Sequence, residues 1–398
     1  MSFTGFYGKI PHSIGNLSNL RTLSLETMDT RGGDYSGPKL DVDSLEWLSG
    51  LSKLEYLSMN HVNLSRATNW PQQVITKLYS LVELHLSGCN LNYMAPLNDV
   101  NNISHSHIAI LDISSNYLDG ESYGIIPPWI FQFNNLIYLD MSSNTLEGPI
   151  PTMSNTTKLK DIDLSNNYLN SSIPQWLYYM SLAANLFIRD GISNSIANLT
   201  SLSTLDLSQN QLSGKIPREI ANLCNIQTLN LFGNNFGGEI SDSFGNMSDC
   251  FLGALEDLEL SGNQLSGHLP HQFGEFRSLR SLSLDYNSFS GVIPDELGNL
   301  LSLENLSLHN NKLRGNLPES IGKLVNLRML WIENNMLQGV VTETHFANLS
   351  NLKVLYASGN HLSLKVNPNW IPPFKLESLY LGYWDVGSDS RIPLWLET

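Results

Sequence analysis

The sequence predicts an α/β repeat solenoid, a right-handed superhelix of about 15 turns of roughly 24 residues each. A parallel β-sheet lines the concave face, and short 3-10 helices and strands cover the convex face. Three observations predict it. The stretch from Leu202 to Pro217 reads L-x-x-L-x-L-x-x-N-x-L-x-G-x-I-P, and the pattern returns, whole or in part, from Ile108, Leu136, Leu159, Ile226, Leu255, Leu279, Leu303, Leu327 and Leu352. From Leu255 to Leu376 the first leucines are spaced 24, 24, 24, 25 and 24 residues apart. Asn supplies 43 of the 398 residues, most visibly once per turn. A fixed period of this length marks stacked repeats.

Each element follows from its residues. The x-L-x-L-x segment alternates with period two, so it is a short strand with its leucines turned inward. Parallel strands from successive turns pair about 4.8 Å apart. The Asn sits where the chain leaves the sheet, and its amide offers two donors and an acceptor to bent backbone. The Gly that follows in most turns permits the bend. Ile-Pro opens an outer segment, and stretches such as Ile321-Gly322-Lys323-Leu324 form a short helical turn on the convex side. Degenerate copies keep the phase, with Val62, Cys89, Met28 and Trp384 where Asn is expected and a short turn near Leu177 ending at Asn185. The reading is one domain over 1–398, irregular over 1–53, with the remaining repeats over 54–398 and an insertion near 245–254.

Composition excludes other classes. Lys+Arg number 22 against 37 Asp+Glu, a net charge of −15, which opposes a nucleic-acid binder. At 41 % hydrophobic residues the chain is too apolar for disorder. No apolar run approaches the roughly 18–20 residues that span a bilayer, and Met1-Ser2-Phe3-Thr4-Gly5 has no basic or apolar signal character. Neither a signal peptide, a cap nor a membrane helix is expected here.

The L-x-G-x-I-P extension resembles the plant form of the extracellular leucine-rich repeat. Asp41 to Gly50, Val62 to Trp70, Leu84 to Cys89, Trp370-Ile-Pro-Pro-Phe374 and Ile392 to Leu396 further resemble the receptor-like proteins related to the ethylene-inducing-xylanase receptors. That resemblance implies an internal piece of a glycosylated cell-surface ectodomain, on the extracellular side of the plasma membrane, acting in defence or development. It implies a peptide or protein ligand and a separate co-receptor kinase. A secreted inhibitor of a pathogen polysaccharide-degrading enzyme, or the inactive product of a truncated gene, are the alternatives.

Partners of such a solenoid usually sit on the concave columns beside the strand leucines. Across fifteen turns those columns hold no Lys or Arg but eleven carboxylates. Asp112, Asp140 and Asp163 fall in one column on consecutive strands, where like charges favour retained protons or an arriving cation. The alternative is that L-D-L-S is simply the consensus strand. Toward the C-terminus the central column becomes Ser283, Ser307, Trp331, Tyr356 and Tyr380, flanked by Asp285, Tyr286, His309, Glu333 and Tyr383. Exposed aromatics dominate binding hot spots, so a basic or polar peptide is expected there. Aromatics packing on one another across strands is the competing reading.

Sequons occur at Asn16, Asn63, Asn102, Asn155, Asn170, Asn198, Asn246, Asn305 and Asn348. Cys224 and Cys250 lie 26 residues apart, close to one repeat, which can bring their backbones within disulfide reach. The insertion that carries Cys250 resembles an arrangement in the receptor-like family. Cys89 reads as a buried thiol. His105 and His107 have no third ligand at compelling spacing, and His268 and His271 read as a solvated loop, so no metal or cofactor is expected. Asp161 and Asp163 share a strand face with nothing to exclude water. No nucleophile or phosphate motif appears, and an enzyme is not expected.

Overall fold

A computed structural model describes residues 7–26, 40–92, 94, 97, 103, 106–118, 124–151, 158–159, 161–170, 180–185, 191–198, 202–367 and 369–385. The chain divides into two compact units, Met1–Phe187 and Ile188–Thr398. In the first, seven parallel strands follow in chain order, from Thr22–Ser24 through Tyr56–Ser58, Glu83–His85, Ile110–Asp112, Tyr138–Asp140 and Asp161–Asp163 to Met180–Ser181. The second has eight: Thr204–Asp206, Thr228–Asn230, Asp257–Glu259, Ser281–Ser283, Asn305–Ser307, Met329–Trp331, Val354–Tyr356 and Ser378–Tyr380. Each predicted turn thus contributes one strand.

The register explains the core. Leu205, Leu229, Leu258, Leu282, Leu306, Leu330, Leu355 and Leu379 lie opposite one another in successive strands, and the first seven are buried. Their neighbours on either side project from the open face. Because the side-chain period is two, a one-residue slip in any strand would turn its leucine outward.

The Asn column works through backbone rather than through amide–amide contacts. Asn335 Nδ2 donates to the carbonyls of Leu308 at 3.0 Å, Ile332 at 3.3 Å and Glu333 at 3.1 Å, while its Oδ1 accepts Leu313 N–H at 3.0 Å. Asn116, Asn144, Asn167, Asn185 and Asn360 repeat the set. At two of the positions where Asn is replaced another donor serves, whereas the Val62 side chain supplies none. Cys89 Sγ donates to the Met59 carbonyl at 3.0 Å, and Trp384 Nε1 to the Ala357 carbonyl at 2.9 Å.

The bend uses two left-handed positions per turn rather than the one expected. The Gly after the ladder has positive φ, as at Gly267 with +88°, and so does the residue before the ladder. That second place is held by Asn or Gly in most turns of the second unit but by Tyr286 and Tyr383 in two, with φ of 49° and 72°. The outer 3-10 helices, such as Asp295–Asn299 and Glu319–Lys323, pack turn on turn. A Cβ on Gly298 would sit 2.3 Å from the Ser320 carbonyl, which is why Gly precedes the N-L pair.

The L-x-G-x-I-P extension builds a further layer. In the second unit it gives a seven-stranded parallel sheet running from Ser213–Gly214 to His361–Leu364. The first unit has two two-stranded counterparts, Gly8–Lys9 with Leu40–Asp41 and Glu147–Gly148 with Tyr168–Leu169. The expected insertion near 245–254 carries the helix Asp249–Ala254, which follows the outer helix Ile240–Phe244. Phe244 and Phe251 pack with Phe273 and Phe276 beneath it, and Cys224 is disulfide-bonded to Cys250 with their Cα atoms 4.8 Å apart. No helix among the described residues is long and apolar enough to cross a membrane.

Candidate functional site

On the open face of the second unit the strands set rings side by side. Trp331, Tyr356 and Tyr380 are register neighbours, because each follows the buried strand leucine. The Tyr286–His309 centroids lie 5.0 Å apart and nearly perpendicular, and His309–Trp331 are 5.9 Å apart. Trp331 stacks on Tyr356 at 5.9 Å and 12°, and Tyr356 meets Tyr380 edge-on at 4.6 Å. Five rings therefore form one continuous run, and cross-strand ring packing is real. It leaves much of the run uncovered: Tyr286 is 59 % and Tyr380 55 % exposed. Tyr383 is 88 % exposed and belongs to none of these ring pairs. Tyr356 Oη pairs with Ser378 Oγ at 2.9 Å, whereas Trp331 Nε1 is buried without a hydrogen-bond partner.

Acidic groups border the run. Ser307 Oγ donates to Asp285 at 2.7 Å, and His309 lies 3.6 Å from the same carboxylate and 2.8 Å from Ser307 Oγ. Glu259 accepts from Ser261, yet burial pushes its carboxyl up, aided by the Asp285 charge. Burial raises Asp257 as well. Glu333 is half-buried beside Trp331. The cations nearest in sequence are already engaged: Arg280 with Glu256 and Glu304, Arg328 with Glu304, Lys353 with Glu377. This alternating rim escaped the sequence reading, although Glu and basic residues do alternate at one position per turn.

The acidic column of the first unit is arranged differently. Asp112, Asp140 and Asp163 are register neighbours. Each accepts the N–H two residues on, from Ser114 at 3.0 Å, Ser142 at 2.9 Å and Ser165 at 2.9 Å. That contact gives L-D-L-S a structural purpose, closing the end of the strand. The basic group beside it is internal. His85 lies 3.6 Å from Glu83 and 3.8 Å from Asp112, and its ring is tilted against Tyr56 at 5.4 Å. Asp112 holds the His85 imidazole above its usual range against the effect of burial. Burial also pushes Asp112 up, but donors from His85 and Ser114 outweigh it and the net direction is down. For Asp140, burial wins and its neighbours Asp112 and Asp163 add to the rise. Tyr138 is raised by burial and by the charges of Asp140, Asp112 and Asp161.

The remaining candidates scatter. Asn16, Asn170 and Asn246 are exposed, and Asn305 lies within the strand Asn305–Ser307 on the open face. Asn63 donates to Asp41 at 2.8 Å and Asn348 to the Gly322 carbonyl at 3.1 Å, so both amides are engaged. The backbone of Asn198 ends the helix Asn194–Asn198. Asn102, Asn155, His105, Met28, Leu177 and the Ile392 to Leu396 motif lie outside the described residues. His268 and His271 line an open groove of about 940 Å³ with Glu239, Asp295 and Glu296. No group of three His, Cys, Asp or Glu able to hold a metal occurs among the described residues.

A family model described as a leucine-rich repeat region matches residues 250–398, and the Leucine Rich Repeat model matches 135–155, 158–180, 201–223 and 225–247. The receptor-like protein EIX1 of Solanum lycopersicum is 36% identical over 171 residues, covering 42% of this chain and 15% of its own length. The alignment thus spans less than a sixth of that relative. Among solved structures, a TDR receptor superposes with a TM-score of 0.76 at 28% identity, covering 95% of this chain and 62% of its own. The plant peptide hormone receptor RGFR1 in complex with RGF2 does so with 0.66 at 25%, covering 90% and 66%. By its repeats this chain is a leucine-rich-repeat protein, and over 171 residues it is homologous to a plant receptor-like protein.

Proposed function

We propose that the chain is part of the ligand-recognition ectodomain of a plant cell-surface receptor-like protein. It binds an extended peptide or protein segment along the ring run from Tyr286 to Tyr380, in defence or developmental signalling. The observation that carries this reading is the uncovered aromatic run on a rigid sheet, which offers large contact area at low entropic cost. The likeness to a peptide hormone receptor ectodomain supports it. Transmission across the membrane falls to a separate co-receptor kinase, as the resemblance to receptor-like proteins implies.

The test is a random linear dodecapeptide library, selected on the purified protein and re-measured on Trp331→Ala with Tyr356→Ala. Selected peptides should lose a hundredfold or more in affinity. Equal binding to the folded double variant discards the site. Tyr380→Ala, at a more exposed ring, repeats the test should the double variant fail to fold.

A further inference from the structure

We infer that the aromatic run selects cation-bearing peptides, seating a Lys or Arg side chain at its Tyr286–His309 end beside Asp285 and Glu259 and rejecting carboxylates. This rests on the preceding reading of the run as the binding strip. Three observations carry it. The concave columns hold no Lys or Arg at any turn of the sequence. The basic side chains just before three of these strands, Arg280, Arg328 and Lys353, are each paired with a Glu one turn away. At the Tyr286 end, ring and carboxylate stand together: Asp285 lies 3.6 Å from His309, whose ring is 5.0 Å from that of Tyr286.

The chemistry is complementary. A ring face attracts a cation, most strongly a guanidinium, and a half-buried carboxylate within hydrogen-bond reach adds a charge-assisted bond. A ligand carboxylate at the same place meets the like charge of Asp285 and Glu259, which discriminates by repulsion as well as attraction; the imidazole that faces it, His309, already lies 3.6 Å from Asp285. Spacing sharpens the inference. Three strand steps separate the turn bearing Asp285 and Tyr286 from the turn bearing Tyr356, about 14 Å at 4.8 Å per step. An extended peptide crossing the strands at about 3.3 Å per residue covers that in roughly four residues. The preferred ligand therefore carries its cation about four residues from an aromatic or prolyl anchor.

The dodecapeptide library, synthesised with both ends blocked, tests this directly. Selected sequences should be enriched in Arg and Lys at that spacing and depleted of Asp and Glu. Glu259→Gln with Asp285→Asn, which keeps an acceptor for Ser307, should weaken them at least tenfold and flatten their salt dependence. Selected peptides without cation enrichment that are still lost on Trp331→Ala with Tyr356→Ala overturn the charge inference and leave the strip standing. Peptides indifferent to that double variant, or no selection at all, overturn both.

Discussion

The open faces of the two units are built on the same register and finished in opposite ways. In the first, Glu83, His85 and Asp112 form a set whose charges answer one another, with His85 between the two carboxylates, while Asp140 stands among like charges. In the second, the rings from Tyr286 to Tyr380 touch each other, with both end rings exposed and the three between them half-buried. A surface that has satisfied itself has little left to offer a partner, so recognition belongs where the strands present unspent contact area. Two Tyr residues also occupy left-handed backbone that most other turns of the second unit give to Gly or Asn. Bulky residues hold such φ values at a cost of about 1–3 kcal/mol, which makes Tyr286 and Tyr383 unlike their neighbours in the repeat.

The largest expected effect separates the two faces in binding. Trp331→Ala with Tyr356→Ala should cost about 3 kcal/mol or more in ligand affinity, as paired hot-spot losses do, whereas His85→Ala should leave affinity within twofold in the same titration. Next comes the ladder. Asn335→Ala strands the Leu313 N–H and the Leu308 carbonyl, and a loss of about 3 kcal/mol is expected in urea unfolding. Cys89→Ala in the first unit removes a single thiol donor, so about 1 kcal/mol should go there.

The smallest effects depend on pH. Asp140 binds its proton more tightly folded than unfolded, because burial and its flanking carboxylates raise it above 3.8. Stability from that group falls as pH rises through the raised value. Asp140→Asn should therefore raise the melting temperature slightly at pH 7, by about one degree, with the gain vanishing below about pH 4. His85 has the opposite use. Its pKa is raised above 6.5, so its contribution is full below 6.5 and lost as pH climbs through the folded value. His85→Gln should destabilise more at pH 5.5 than at pH 8.5, and an equal loss at both would break the contrast between the faces.

Much of the fold was legible because the leucine period is a local property of the chain. Fifteen strands and their order could be counted from it, and the Asn column located. What the column does was partly hidden, since its partners are carbonyls a full turn away. That Cys89 and Trp384 take over the donation is intelligible once the need for an N–H or S–H donor at that point is known. The aromatic residues could be placed in one column from sequence, but not their overlap. The pairing of His85 with Asp112, and the rim from Glu256 to Glu377, were missed because each links charges across turns.

By itself, then, the sequence determined which residues face inward and which outward, because alternation and a repeating turn leave a short strand only one way to bury its leucines. Which outward side chains neutralise each other, and which stay available, was decided only in the tertiary structure. Those contacts join residues some 24 apart, and their strength depends on rotamer, distance and burial, none of which a linear pattern encodes.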